Sequence, residues 1–286
     1  MQMLIDKENN SNDKIIKPDF STRTGREFLA FYLQTKFKQI LSHDKKSEHP
    51  VFKEINPNFI SKFSRRLIEN PSKKFLIGVT GESASGKTTI CKQIKKTSDS
   101  LNFPLEFLSI DNYFNDISDL IKKYGDFDSL RDNGYDVDSP DSFQLDLLRE
   151  DLAKLSSGID IKAPEYLING TGISVPNSIP ISSKKFILVE GMAAMYKDVK
   201  DILDIKIYID IDSKIQKKWF MERASKRNQS EENALKHWDY VCNAAEKYIR
   251  PSKAEADIII NGASSLEYFS QIIEFIHAAT NCFTSK

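Results

Sequence analysis

From residue 73 onward the chain alternates two hydrophobic rhythms. Unbroken apolar runs at Phe75–Thr80, Leu105–Ile110, Phe186–Glu190, Ile205–Asp210 and Ala256–Ile260 predict strands, because a strand covered by helices on both faces has no polar side. Between and after them, Lys87–Thr97, Asp141–Leu155, Ser213–Arg227, Glu231–Tyr248 and Leu266–Ala279 space their apolar residues as helices do. Ser139-Pro140 opens the second of these helices and Gly158 closes it, in keeping with capping preferences. Strands that alternate with helices specify an α/β fold with a mostly parallel sheet, here of five strands. Ahead of residue 71 the pattern is purely helical. Thr24-x-x-Glu27 forms a capping box before Phe28, Leu29, Tyr32, Leu33, Phe37, Ile40 and Leu41, and a second helix runs from Asn56-Pro57 to Asn70-Pro71 with Phe59, Phe63 and Leu67 on one face. The first twenty or so residues, centred on Asn9-Asn10-Ser11-Asn12-Asp13, are polar and expected to be flexible.

The link between the first strand and its helix carries the chemistry. It reads Gly81-Glu82-Ser83-Ala84-Ser85-Gly86-Lys87-Thr88-Thr89, a G-x-x-x-x-G-K-T phosphate-binding loop. Glycines and small side chains let successive backbone N–H groups curl around a phosphate, and the following helix N-terminus favours negative charge. Lys87 brings a point charge to the outer phosphates, and the Thr88 hydroxyl can ligate Mg²⁺. A bound nucleoside triphosphate follows, and the expected cofactors are ATP and Mg²⁺. With this loop the layout becomes the three-layer α/β fold of P-loop NTPases, preceded by a helical extension.

In an open parallel sheet, ligands sit beyond the carboxyl ends of the strands. The strand after the loop ends at Asp111, placed to accept a proton from an alcohol that attacks the γ-phosphate. The next ends Val189-Glu190-Gly191, where Glu190 can support Mg²⁺ from the same rim. Basic residues of the helix 213–227, among them Arg223 and Arg227, can close over the phosphates as charge redistributes in the transition state.

Composition narrows the class. Lys plus Arg equals Asp plus Glu at 41 each in 286 residues, so no global field favours nucleic acid or a membrane surface as partner. Cys91, Cys242 and Cys282 are odd in number and widely spaced, which suits reduced thiols of a cytoplasmic protein. His43, His49, His237 and His277 have no metal-ligand spacing; His237 and His277 fall in helical patterns, where an imidazole caps or packs. Trp219 and Trp238 read as helix-packing residues and Cys91 as core. No leader and no stretch of about 18 apolar residues occurs.

Taken in order, Ser109-x-Asp111-x-Tyr113-Phe114, Asp138-Ser139-Pro140-Asp141-Ser142-Phe143, Pro164-Glu165-Tyr166, Val189-Glu190-Gly191, Arg223…Arg227 and Tyr248-Ile249-Arg250-Pro251-Ser252-Lys253…Ala256-Asp257 resemble the uridine kinase and phosphoribulokinase family. The resemblance covers residues 73–263. It implies a kinase domain at 71–286, with an acceptor-site insertion near 112–180 and a lid helix near 213–230, behind a flexible and helical segment at 1–70. It further implies Asp111 as general base for a ribose 5′-hydroxyl, Asp138 as the holder of the other ribose hydroxyls, and Tyr113, Phe114 and Tyr166 beside the base. Glu190 then supports the metal and Arg223 and Arg227 are lid arginines. The implied partner is a small-molecule acceptor, and a homo-oligomer is the family expectation.

Three departures touch the acceptor side. Leu167-Ile168-Asn169-Gly170-Thr171 lacks the histidine that reads a pyrimidine edge, Val137 replaces a phenylalanine, and the lid ends Ser225-Lys226-Arg227-Asn228. The helical extension and Trp219-Phe220-Met221-Glu222-Arg223 are similar to bacterial pantothenate kinases instead. A nucleotide-dependent regulator is the alternative of another class. A guanine-specifying Asn-Lys-x-Asp motif, which would favour it, is missing.

Overall fold

A computed structural model describes residues 19, 22–44, 50–69 and 73–264. The polar N-terminal run and the helix expected at Leu266–Ala279 lie outside the described residues. Among the described residues the first elements are α1 (Arg23–Asp44), β1 (Phe52–Ile55), α2 (Phe59–Glu69), β2 (Phe75–Gly81), α3 (Lys87–Ser100) and β3 (Leu105–Ser109). Two short helices, α4 (Ser118–Tyr124) and α5 (Phe127–Asp132), precede α6 (Leu145–Ser156) and the hairpin β4 (Ile161–Tyr166) and β5 (Ser174–Ile181). Then follow β6 (Phe186–Glu190), α7 (Lys197–Lys200), β7 (Ile205–Asp210), α8 (Ser213–Lys226), α9 (Glu231–Ala244) and β8 (Ile258–Asn261).

Among the described residues the main sheet has six strands in the order β1-β8-β7-β2-β6-β3, where five are expected from the sequence. Five of them run parallel, and β1 is an antiparallel edge on β8. Phe52-Lys53-Glu54-Ile55 is short and does not alternate, and its register slips between Phe52 and Glu54, so no period-two signal announces it. Its start is fixed by the buried carboxylate of Asp44, which accepts from the N–H groups of Val51 and Phe52 at 2.8 and 2.9 Å. The hairpin was also unannounced, because Pro176 and Pro180 demote β5 as a strand.

Side-chain alternation along the central strands splits the core into two layers. Phe75, Ile77, Val79, Phe186 and Leu188 face α2 and α3 in one cluster. Leu76, Ile187 and Val189 face α6 in the other, with Leu148, Leu152 and Leu155. A row of rings from Phe59 through Phe63, Phe75 and Phe186 to Phe103, with centroids 4.7–5.9 Å apart, threads the first layer. Truncating fully buried Phe75 or Phe186 to Ala would cost about 3–5 kcal/mol. The row starts in the extension, so the boundary expected at residue 70 runs through a continuous core. Arg66 of α2 reinforces it, donating to Asp204 at 2.5 Å and to the Lys74 carbonyl at 3.1 Å.

Two helix starts differ from expectation. Helix α1 is capped by Thr22, whose hydroxyl accepts from Gly25 N–H at 3.1 Å, so Thr24 lies inside the helix. Helix α6 begins at Leu145 and not Asp141 because Phe143 stays extended and bridges to Phe114. Among the described residues no helix is long and apolar enough to cross a membrane.

Candidate active site

Strand β2 delivers the phosphate loop and α3 leaves it. Gly86 caps α3 with a φ of 93°, a left-handed conformation that favours glycine, and makes no side-chain cap bond. The first N–H groups of α3 therefore face the loop without a capping oxygen. Ala84 also has a positive φ, 59°, a strain held in place by its surroundings at the loop crest. Ser83, Ala84, Ser85, Gly86, Lys87, Thr88 and Thr89 line one wall of a cavity of about 460 Å³. Gly81 and Glu82 support that wall from behind: the Glu82 carbonyl accepts from Lys87 Nζ at 2.8 Å, and its carboxylate accepts from Arg250 at 2.8 and 3.1 Å.

Asp111, Glu190, Arg223 and Arg227 line the same cavity, as does Met192. The strand-end acids thus meet the loop where the sequence places them. Burial lifts the Asp111 carboxyl above its ordinary range, against the pull of Lys87 and Arg223. Burial also lifts Glu190, with Lys87 opposing, and lowers Lys87, with Glu190 and Asp111 opposing. A raised carboxylate is the stronger proton acceptor. Glu190 accepts from the Thr88 hydroxyl at 3.1 Å. Two hard oxygen donors beside a phosphate site fit Mg²⁺, which binds through one or two protein oxygens, phosphates and water. No cluster of three or more His, Cys, Asp and Glu that could cage a metal occurs among the described residues.

Helix α8 lies across the loop. Arg223 donates to the Ser83 hydroxyl at 2.6 Å, and Gln216 donates to the Ser83 carbonyl at 2.9 Å. Trp219, expected to pack between helices, instead lines the cavity next to Gly86. Gly262, just past β8, presses on the loop from below. A Cβ there would lie 2.0 Å from the Ser85 carbonyl oxygen, so this close approach admits only glycine. Neither Gln216 nor Gly262 carries a sequence signal; both contacts exist only once α8 and β8 are docked.

The insertion builds a second cavity, about 300 Å³, between residues 131–138 and α9. Asp138 lines it, and burial pushes its carboxyl up to about 6 although Arg131 pulls the other way. Lys87 and Asp111 also act on Asp138 through their charges, and Asp138 itself lines only the second cavity. Its backbone carbonyl accepts from the Tyr196 hydroxyl at 2.6 Å, a contact the sequence does not signal. Phe114 stacks on Phe143 at 4.2 Å and meets Tyr166 at 5.2 Å, but neither Phe114 nor Tyr166 lines either cavity. Tyr113 corrects the expectation outright. It is fully buried, and its hydroxyl donates to Asp151 at 2.9 Å, so it is a core residue. His237, expected to cap or pack, lines the second cavity.

Residues 76–267 match the phosphoribulokinase/uridine kinase family. The uridine-cytidine kinase B of Dictyostelium discoideum is 31% identical over 206 residues, covering 71% of this chain and 81% of its own. The uridine kinase of Staphylococcus haemolyticus is 33% identical over 189 residues, covering 65% and 86%. Among solved structures, one described as a fructose transport system kinase from Silicibacter sp. TM1040 aligns with a TM-score of 0.53 at 15% identity, covering 64% of this chain and 89% of that one. That likeness speaks to the fold alone.

Proposed function

The chain belongs to the phosphoribulokinase/uridine kinase family and is a phosphotransferase with an alcohol acceptor, and we propose that it transfers the γ-phosphate of ATP to the 5′-hydroxyl of a nucleoside. The observation that carries this reading is Asp111, a half-buried carboxylate lifted in affinity for protons, on the wall of the cavity that the phosphate loop lines. The loop amides and Lys87 hold the β- and γ-phosphates. Mg²⁺ bound at Thr88 and Glu190 would supply charge neutralisation on those oxygens. Asp111 orients the acceptor hydroxyl and takes its proton. The hydroxyl oxygen then bonds to the γ-phosphorus as the bond to the β–γ bridging oxygen breaks, and ADP leaves. Arg223 and Arg227 stabilise the equatorial oxygens from the lid, so catalysis is mainly positioning and charge stabilisation.

Asp138, on the wall of the second cavity, accepts from the remaining sugar hydroxyls in this reading. The names of the relatives support a nucleoside acceptor. The second cavity supports a neutral one. Among its lining residues Arg131 and Lys247 are balanced by Asp136 and Asp138, and Arg131 is already paired with Asp128 at 2.9 Å. A sugar phosphate or carboxylate would find no surplus positive charge there. The test is acceptor-dependent ADP release across uridine, cytidine, other nucleosides, pantothenate and sugar phosphates. Release stimulated by a nucleoside well above the rest is expected. Stimulation by an anionic acceptor alone would end the nucleoside reading.

A further inference from the structure

The second cavity contains a pair of side chains that the transfer step leaves unused. Arg131, at the end of α5, places Nη2 3.3 Å from Nε2 of His237 on α9. A guanidinium only donates, so Nε2 accepts and the ring proton must sit on Nδ1. Burial and the positive charges of Arg131, Arg223 and Arg227 push the imidazole down to about 4, which keeps it neutral near pH 7. Both partners are braced. Asp128 holds Arg131 Nη1 at 2.9 Å, and the His237 ring stands edge-on to Phe220 at 5.1 Å. A second tie between the same elements, Tyr240 hydroxyl to Asp132 at 2.9 Å, fixes α5 against α9.

The chemistry left over is one-sided. With Nε2 occupied, the pair offers a ligand only N–H donors, from the remaining guanidinium hydrogens and Nδ1. The carboxylates of the same cavity, Asp136 and Asp138, offer only acceptors when ionised. A ligand complementary to both has hydroxyl donors at one end and a carbonyl-bearing edge at the other. Because the local charges balance, that edge carries no net charge.

We propose that Arg131 and His237 are the specificity-determining pair of the acceptor site, donating hydrogen bonds to a carbonyl edge of the nucleoside base. This rests on the nucleoside reading above and deepens it. A site built to hydrogen-bond a substrate group rejects the analogue that lacks it far more strongly than an apolar pocket rejects a misfit.

The test uses the full chain, ATP, uridine and two uridine analogues in which O2 or O4 is replaced by hydrogen. The native protein is expected to favour uridine over at least one analogue by about 10–100-fold in kcat/KM. His237→Phe keeps a ring against Phe220 and should erase that preference, raising the KM for uridine by a similar factor while kcat changes less and ATP affinity holds. Arg131→Lys, which keeps the charge facing Asp128 but loses the planar fork, should do the same and covers the case in which the first variant folds poorly. Native turnover of uridine with the preference intact in both variants would overturn the pair's role and leave the nucleoside reading standing. No turnover of any nucleoside by the native protein would overturn the nucleoside reading first.

Discussion

The two cavities are built in opposite ways. The phosphate-loop cavity has one wall that is continuous in sequence, Ser83–Thr89, and α3 begins within it at Lys87. The second cavity is assembled from two segments, residues 131–138 and 237–247, about a hundred positions apart in the chain. A backbone cradle tolerates changes of side chain and is shared by many reactions. A side-chain pocket gathered from distant segments can be retuned one residue at a time. The chemistry of transfer is thereby separated from the choice of what receives the phosphate.

Substitutions can break that separation where the two sides touch. The largest effect is expected for Asp111→Asn, which keeps the shape but not the base. Turnover should fall about 10²–10⁴-fold while ATP affinity, read by nucleotide titration, stays near native. Unchanged turnover would remove the carboxylate from the mechanism. Next comes Gly262→Ala, which touches only the cradle. A methyl group meeting the Ser85 carbonyl must displace the loop, so the KM for ATP should rise about tenfold or more, with acceptor affinity measured without nucleotide unaffected. An equal loss on both sides would show that the two halves do not act separately. The smallest effect is that of pH on the acceptor side. Asp138, lifted to about 6 by burial among Arg131, Asp136, Lys87 and Asp111, accepts from hydroxyls most strongly when ionised. As pH falls from 7 to 5 it gains a proton, and nucleoside affinity should weaken by about tenfold. Asp138→Asn should flatten that profile, and a native profile that is already flat would free Asp138 from this role.

The same contrast decides what could be read from the chain alone. The loop, the strands ending at Asp111 and Glu190, and the lid helix with Arg223 announce themselves because local spacing and local backbone create them. Tyr113 misleads because it follows Asp111 by two residues, yet the tight turn after β3 sends its ring inward to Asp151. His237 looks like any helical histidine, since only the docking of α9 against α5 gives it Arg131 as neighbour. Trp219 reads as packing because the sequence cannot tell that α8 lies over Gly86. Edge strand β1 escapes notice because its pairing with β8 spans some two hundred residues.

That edge strand has a consequence for the nucleotide seat. Strand β1 flanks β8, β8 leads into Gly262, and Gly262 abuts the phosphate loop at Ser85. Lys62 of α2 adds a strut to Asp257, at 3.3 Å, where the chain turns into β8. A fragment starting at residue 71 would retain every group that handles phosphate and still lose the buttress beneath them. The leading segment acts as foundation, and a working fragment is expected to need residues ahead of Val51.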